Sequence, residues 1–169
     1  TLRDLHAQKA QTLPLASWKD NLGNQMFLLE DSDLRNSYGD IIGKIAASHG
    51  TTIDRMMHLL GTDLIGAPGF LPSHWTIDPI KLGCLMRAVD AIDVDDSRAP
   101  SLLFTLRKPS GISKEHWTFQ NKLNQPTVKG SRILFTSKSP FGIEESDSWW
   151  LCFDTLRMID SELKSVDSF

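Results

Sequence analysis

The sequence predicts a mostly α-helical domain: a helical bundle with a small β-hairpin near the C-terminus and a long terminal helix. Three observations carry this. Apolar residues recur at i, i+3, i+4 and i+7 through most of the chain. These segments are punctuated by Ser, Thr, Gly and Pro where helices start and stop. Strand-like runs are confined to residues 127–136. The chain of 169 residues is 40% hydrophobic and 23% charged, which suits one domain with a substantial core. We read residues 1–124 as its helical region and 125–169 as a hairpin and long helix packed on the same domain.

Residues 2–13 have helix-forming composition, with Leu2, Leu5 and Leu13 inward and Pro14 ending the segment. His6 lies one residue off Leu5, on an ambiguous face. The scattered apolar residues of 15–35 predict a short helix near 16–22, a hydrophobic patch at 26–29 and a loop through Asp33. Ser37 and Asp40 resemble a capping box, opening a helix with the stripe Tyr38, Ile41, Ile42 and Ile45, stopped at Gly50. Seven residues after Ile42, His49 projects from that stripe at the helix's last turn.

Thr52 caps a helix with the stripe Ile53, Met56, Met57 and Leu60, closed by Gly61, while His58 faces solvent. Glycines and prolines over 61–78 break regular structure, and Phe70, Leu71 and Trp75 are expected to pack that long loop down. The central helix, roughly 78–95, carries Leu82, Leu85, Met86, Val89 and Ile92 as a buried stripe. A short helix over 101–107 follows Pro100. Ser113 is read as the N-cap of a helix to Leu123, with Ile112 and Trp117 as a hydrophobic staple. Thr127-Val128 and Arg132 to Thr136 form the hairpin. From Trp149 to Val166 the stripe Trp149, Cys152, Phe153, Leu156, Ile159, Leu163, Val166 gives the terminal helix.

A net charge of −3 gives no footprint for nucleic acid. Lys129, Arg132 and Lys138 read as a solvated face, and no apolar run nears the roughly 20 residues that span a bilayer. Cys84 and Cys152 lie in apolar helical patterns and read as reduced, buried thiols, the usage of a cytoplasmic protein. The five histidines lack the paired spacing of structural zinc sites. The chain opens Thr1-Leu2-Arg3 with no methionine, so we expect a piece of a longer protein.

Asp90 is the first chemical suspect. It sits at the edge of the central stripe, where a carboxylate must be paired, hydrogen-bonded or bound to a metal. Arg87, three residues earlier, is close enough to be that partner, and an ordinary structural ion pair is the simpler reading. His49 at a helix C-terminus is most simply a dipole partner. Taken together, the two helices bring an imidazole and a carboxylate to an apolar interface. Bundles build metal sites in this way, and a divalent cation there would generate a nucleophile from bound water near neutral pH.

Leu85-Met86-Arg87-Ala88-Val89-Asp90-Ala91-Ile92-Asp93 resembles the last helix of the HD superfamily of metal-dependent phosphohydrolases, in which Asp90 matches the final metal-binding aspartate. Ile45-Ala46-Ala47-Ser48-His49 resembles the preceding helix. Arg98-Ala99-Pro100-Ser101-Leu102-Leu103, Gly111-Ile112-Ser113 with His116-Trp117, and Trp149 to Asp154 resemble bacterial proteins in which an HD region precedes a GHKL-type ATPase domain. The resemblance runs from about Tyr38 to Phe169.

The resemblance implies the C-terminal half of an HD module, making residues 1–124 an HD-like region without its N-terminal part. It implies Asp90 as metal ligand, His49 as ligand or as stabiliser of the leaving phosphate, and a divalent cation as cofactor. The substrate would be a phosphate ester or nucleotide, and the partners an upstream HD segment and a downstream ATPase of the same protein. The family's adjacent His-Asp pair is absent from this sequence, so those ligands lie upstream or the site has degenerated. Arg98 is a candidate phosphate contact, although capping of the central helix is the preferred reading. A non-catalytic regulatory module coupled to the ATPase is the alternative function.

Overall fold

The computed structural model describes residues 2–98 and 101–167; the side chains at positions 2–4, 98, 101 and 102 lie outside the described set. It is mostly helical, with small antiparallel strand pairs and a long C-terminal helix, as the sequence predicts. The chain divides into two compact units, Thr1–Arg87 with Ser165–Phe169, and Ala88–Lys164.

The first unit begins with α1 (Leu2–Thr12) and a 3-10 turn at Leu13–Leu15. Residues 16–22 are not a helix: β1 (Ser17–Lys19) pairs antiparallel with β2 (Gln25–Phe27). The carboxylate of Asp20 accepts the N–H groups of Leu22 and Asn24, both at 2.8 Å, and Gly23 takes φ +86°. Those contacts bend the chain back before a helix can form. The Asn24 side-chain amide, together with the backbone N–H groups, holds the Asp20 carboxyl below its ordinary range.

α2 (Ser32–Ser48) starts five residues before the expected capping box. Asp31 is its N-cap, accepting the N–H groups of Asp33 and Leu34 at 2.9 Å each. Its buried positions include Tyr38, Gly39, Gly43 and Ala47, whereas Ile42 is exposed. α1 packs on this small-residue face so closely that a Cβ at Gly43 would lie 2.0 Å from the carbonyl oxygen of Gln11.

α3 (Ile53–Leu60) is capped as expected. The Thr52 hydroxyl accepts the Arg55 N–H at 3.3 Å, and Gly61, at φ +72°, donates its N–H to the Met57 carbonyl. In the loop beyond, β3 (Ile65–Gly66) pairs with β4 (Thr76–Ile77), a short ladder within the stretch expected to be irregular. Phe70 and Trp75 are about half exposed rather than packed down. The ladder ties the two ends of the loop and leaves its tip in solvent.

α4 (Pro79–Ile92) is where the expected core face differs most. Leu82, Leu85, Met86 and Val89 are exposed, Val89 by 60%. The buried face is Pro79, Gly83, Cys84 and Arg87. A Cβ on Gly83 would lie 2.7 Å from Leu60 Cδ1 and 3.0 Å from Met56 Sδ, so the missing side chain is what admits α3. The core of this unit is Met56, Leu60 and Cys84, with Ile41, Ile45, Ile53, Ile80 and Val166 packed around it.

In the second unit, the end of α4 leads through a 3-10 turn at Asp96–Arg98 to α5 (Ser101–Arg107) and α6 (Ile112–Lys122). Gly111 at φ +56°, not Ser113, is the α6 N-cap. Ile112 is therefore already helical, and the expected staple with Trp117 loses its geometry. β5 (Thr127–Lys129) and β6 (Arg132–Leu134) make the expected hairpin around Gly130 at φ +60°. α7 (Ser146–Val166) is the long terminal helix.

The core of this unit is Val94, Phe119, Leu123, Cys152 and Ile159, surrounded by Ala91, Ile92, Phe135, Phe141, Leu151, Leu156 and Leu163. Trp149 and Phe153, expected inward, are largely exposed. The Lys122 ammonium binds Glu145 at 2.5 Å and the Pro140 carbonyl at 2.9 Å, pinning the turn that precedes α7. Asp95 is buried, with its carboxylate accepting the Ser97 N–H, and Asp96 pairs with Lys138. Together they organise the turn after α4.

Candidate functional site

His49 is the C-cap of α2, in right-handed helical geometry, and is half-buried. The preceding residues lock this end. The Ser48 hydroxyl donates to the Ile45 carbonyl at 2.8 Å, and the Thr51 hydroxyl donates to the Ser48 carbonyl at 2.9 Å. The last carbonyls of a helix have no intrahelical donor, and here they are met partly from another helix. The buried Arg87 guanidinium of α4 donates to the carbonyls of Ser48 (2.9 Å) and Thr51 (2.5 Å).

Arg87 therefore braces the helix end that carries His49, a role that spacing within α4 does not reveal. Periodicity missed it because Arg87 shares its face with Gly83 and Cys84, residues that an apolar-stripe reading passes over.

The His49 imidazole is fixed through Nδ1, 2.5 Å from the Ala46 carbonyl oxygen. Since the carbonyl only accepts, Nδ1 carries the proton, and Nε2 is the nitrogen with an available lone pair when the ring is neutral. The His6 ring of α1 lies 5.6 Å from that of His49, centroid to centroid, at 73°. The face of the exposed His6 is ambiguous by sequence alone; the packing of α1 on the glycine face of α2 brings the two imidazoles together.

Asp90 lies on the exposed side of α4, in the second unit, whereas His49 belongs to the first. Its position at the edge of a buried stripe is corrected, since that stripe itself faces solvent. Arg98 closes the 3-10 turn after α4, and its side chain lies outside the described residues. Two imidazoles suit a divalent first-row cation, but two donors are fewer than the three or four protein ligands of such sites. Among the described residues no group of three or more His, Cys, Asp or Glu side chains could hold a metal ion. These donors alone do not fit a complete metal centre.

Cys84 and Cys152 are buried and not joined in a disulfide, and burial pushes the Cys152 thiol up, away from the reactive thiolate. No described helix is long and apolar enough to cross a membrane. A family model described as HD-CE matches residues 1–165. No curated protein and no solved structure matches the chain.

Proposed function

The chain belongs to the HD-CE family, and from that premise we propose that it is part of an HD-type metal-dependent phosphohydrolase module, acting on a phosphate ester or nucleotide. The observation that carries this is the braced imidazole of His49, paired with His6 at the mouth of α2. A histidine tied through Nδ1 to a carbonyl presents one defined nitrogen, Nε2. Neutral, that nitrogen can ligate a cation; protonated, it can donate to a phosphate oxygen. The family match spans α1 as well, so His6 falls inside the region the family defines.

A divalent cation supplies such modules with a water of lowered pKa near neutral pH. Because the described donors do not complete a site, no hydrolytic step is assigned to them alone. We propose that the remaining ligands come from elsewhere in the protein, that Asp90 joins them, and that a GHKL-type ATPase domain lies downstream.

The test is metal analysis with a phosphatase and phosphodiesterase panel on the full-length protein. His49→Ala and Asp90→Ala are each expected to lower turnover by about 100-fold or more and to reduce bound metal. Full activity in either variant removes that residue from the site. Robust turnover by residues 1–169 alone contradicts the need for ligands from outside.

A further inference from the structure

The first turns of α7 carry aromatic rings that the core does not use. Trp149, Trp150 and Phe153 are 42%, 58% and 42% exposed. The Trp149 and Phe153 rings stack, 5.7 Å apart and 6° from parallel, and Trp150 stands edge-on to both at 4.7 and 6.0 Å. The three rings thus hold one another in place. Clustered exposed Trp and Phe are rare on a free surface and common at the centres of interfaces.

Charge identifies the partner. From Ser139 to Leu156 the chain has four carboxylates, Glu144, Glu145, Asp147 and Asp154, and no Lys or Arg. Lys122 neutralises Glu145, leaving Asp147 and Asp154 exposed on the helix that carries the rings and Glu144 exposed in the turn before it. Asp147 and Asp154 lie three residues before and four after Trp150, on its side of the helix. Carboxylates and the faces of indole rings attract the same group, a cation on an apolar stem. Arg157 gives an internal example, its guanidinium 5.9 Å from the Phe153 centroid.

We propose that this face of α7 docks a basic segment of a protein partner, whose Arg or Lys side chains lie over the indoles and pair with Asp147 and Asp154. A two-fold contact with a second copy would set these carboxylates against their own images, and an anionic membrane or nucleic acid would be repelled by them. The inference is independent of the phosphohydrolase reading.

The probe is fluorescein-labelled hexa-arginine, titrated with the full chain and followed by anisotropy, with labelled hexaglutamate as control. We expect saturable binding of hexa-arginine alone, weakening as salt rises. Trp150→Ala is expected to weaken it roughly fivefold or more, and Asp147→Lys with Asp154→Lys about tenfold or more. The milder pair Asp147→Asn and Asp154→Asn serves if the reversed variant melts early, and should weaken binding in the same direction.

No saturation by about 1 mM, or a Kd unmoved by Trp150→Ala or by the charge variants, overturns the proposal. So does a dimer in sedimentation that Trp150→Ala dissolves, which would assign the face to a second copy. Trp150-dependent binding to phosphatidylcholine–phosphatidylserine vesicles would assign it to a membrane and overturn it equally.

Discussion

Arg87 acts on two levels at once, as a buried cation of α4 and as the donor that closes the end of α2. Charge-assisted bonds to carbonyls are among the stronger ones, and removing the guanidinium takes one from each of the Ser48 and Thr51 carbonyls, leaving Ser48 only the donors of Thr51. Arg87→Ala is therefore expected to destabilise the first unit by roughly 2–3 kcal/mol, measured by urea denaturation. Lysine keeps the charge but not the fork, so Arg87→Lys should recover only part of that loss. If Arg87→Ala melts like the parent, the brace contributes nothing and His49 must be held by its Nδ1 contact alone. Asp90 was legible as a candidate through its motif. Arg87 was visible in the same motif, but its role was not, because the carbonyls it serves lie about forty positions upstream.

The faces of α2 and α4 explain why element boundaries were more legible than element orientation. Thr52 sets local geometry through its own hydroxyl, and Gly61 and Gly130 through their own backbone, so the sequence reports them directly. Which face of a helix is buried depends on what it meets, and here the close contacts run through Gly39, Gly43 and Gly83. The Gly39–Gly43 spacing of four was the available signal for the contact with α1 and the 3-10 turn that follows it. Gly43 and Gly83 should respond differently to alanine. At Gly43 the obstacle is the backbone oxygen of Gln11, which cannot step aside, so Gly43→Ala should cost about 3 kcal/mol or more. At Gly83 the obstacles are the ends of Leu60 and Met56 side chains, and the helix gains about 1 kcal/mol of propensity from alanine. Gly83→Ala should then melt within a few degrees of the parent; equal destabilisation of the two would refute the distinction.

The turn before α7 provides a pH test at the same scale. The Lys122 ammonium, then the Gly142 N–H, hold the Glu145 carboxyl below its ordinary range. A carboxylate with a depressed folded-state pKa stabilises the fold above its unfolded value and loses that contribution as pH falls through the folded value. Thermal stability should therefore decline on acidification below the ordinary carboxylate range, and Glu145→Gln should remove part of that slope. An identical acid slope in Glu145→Gln would mean the contact does not couple to folding.

At the scale of the whole molecule, chain order and core membership are not the same thing. The sequence reading drew one boundary near residue 124, from the change in local pattern at Pro126. The compact units divide within α4, and the last residues of α7 belong with the N-terminal half of the chain. Local composition carries no information about such a return, since Val166 looks like one more position of the α7 stripe. Yet Val166 packs against Met56, Leu60 and Cys84, whereas Cys152, Leu156, Ile159 and Leu163 of the same stripe pack with Phe119 and Leu123. Ending the chain after Lys164 should consequently weaken the distant α3 core rather than the neighbouring one, by about 1 kcal/mol for a half-buried valine. Hydrogen exchange reads this directly. Amides of Met56 to Leu60 should lose protection while those of Phe119 to Lys122 keep theirs. Loss confined to the second group would mean that Val166 serves the core it is contiguous with in sequence.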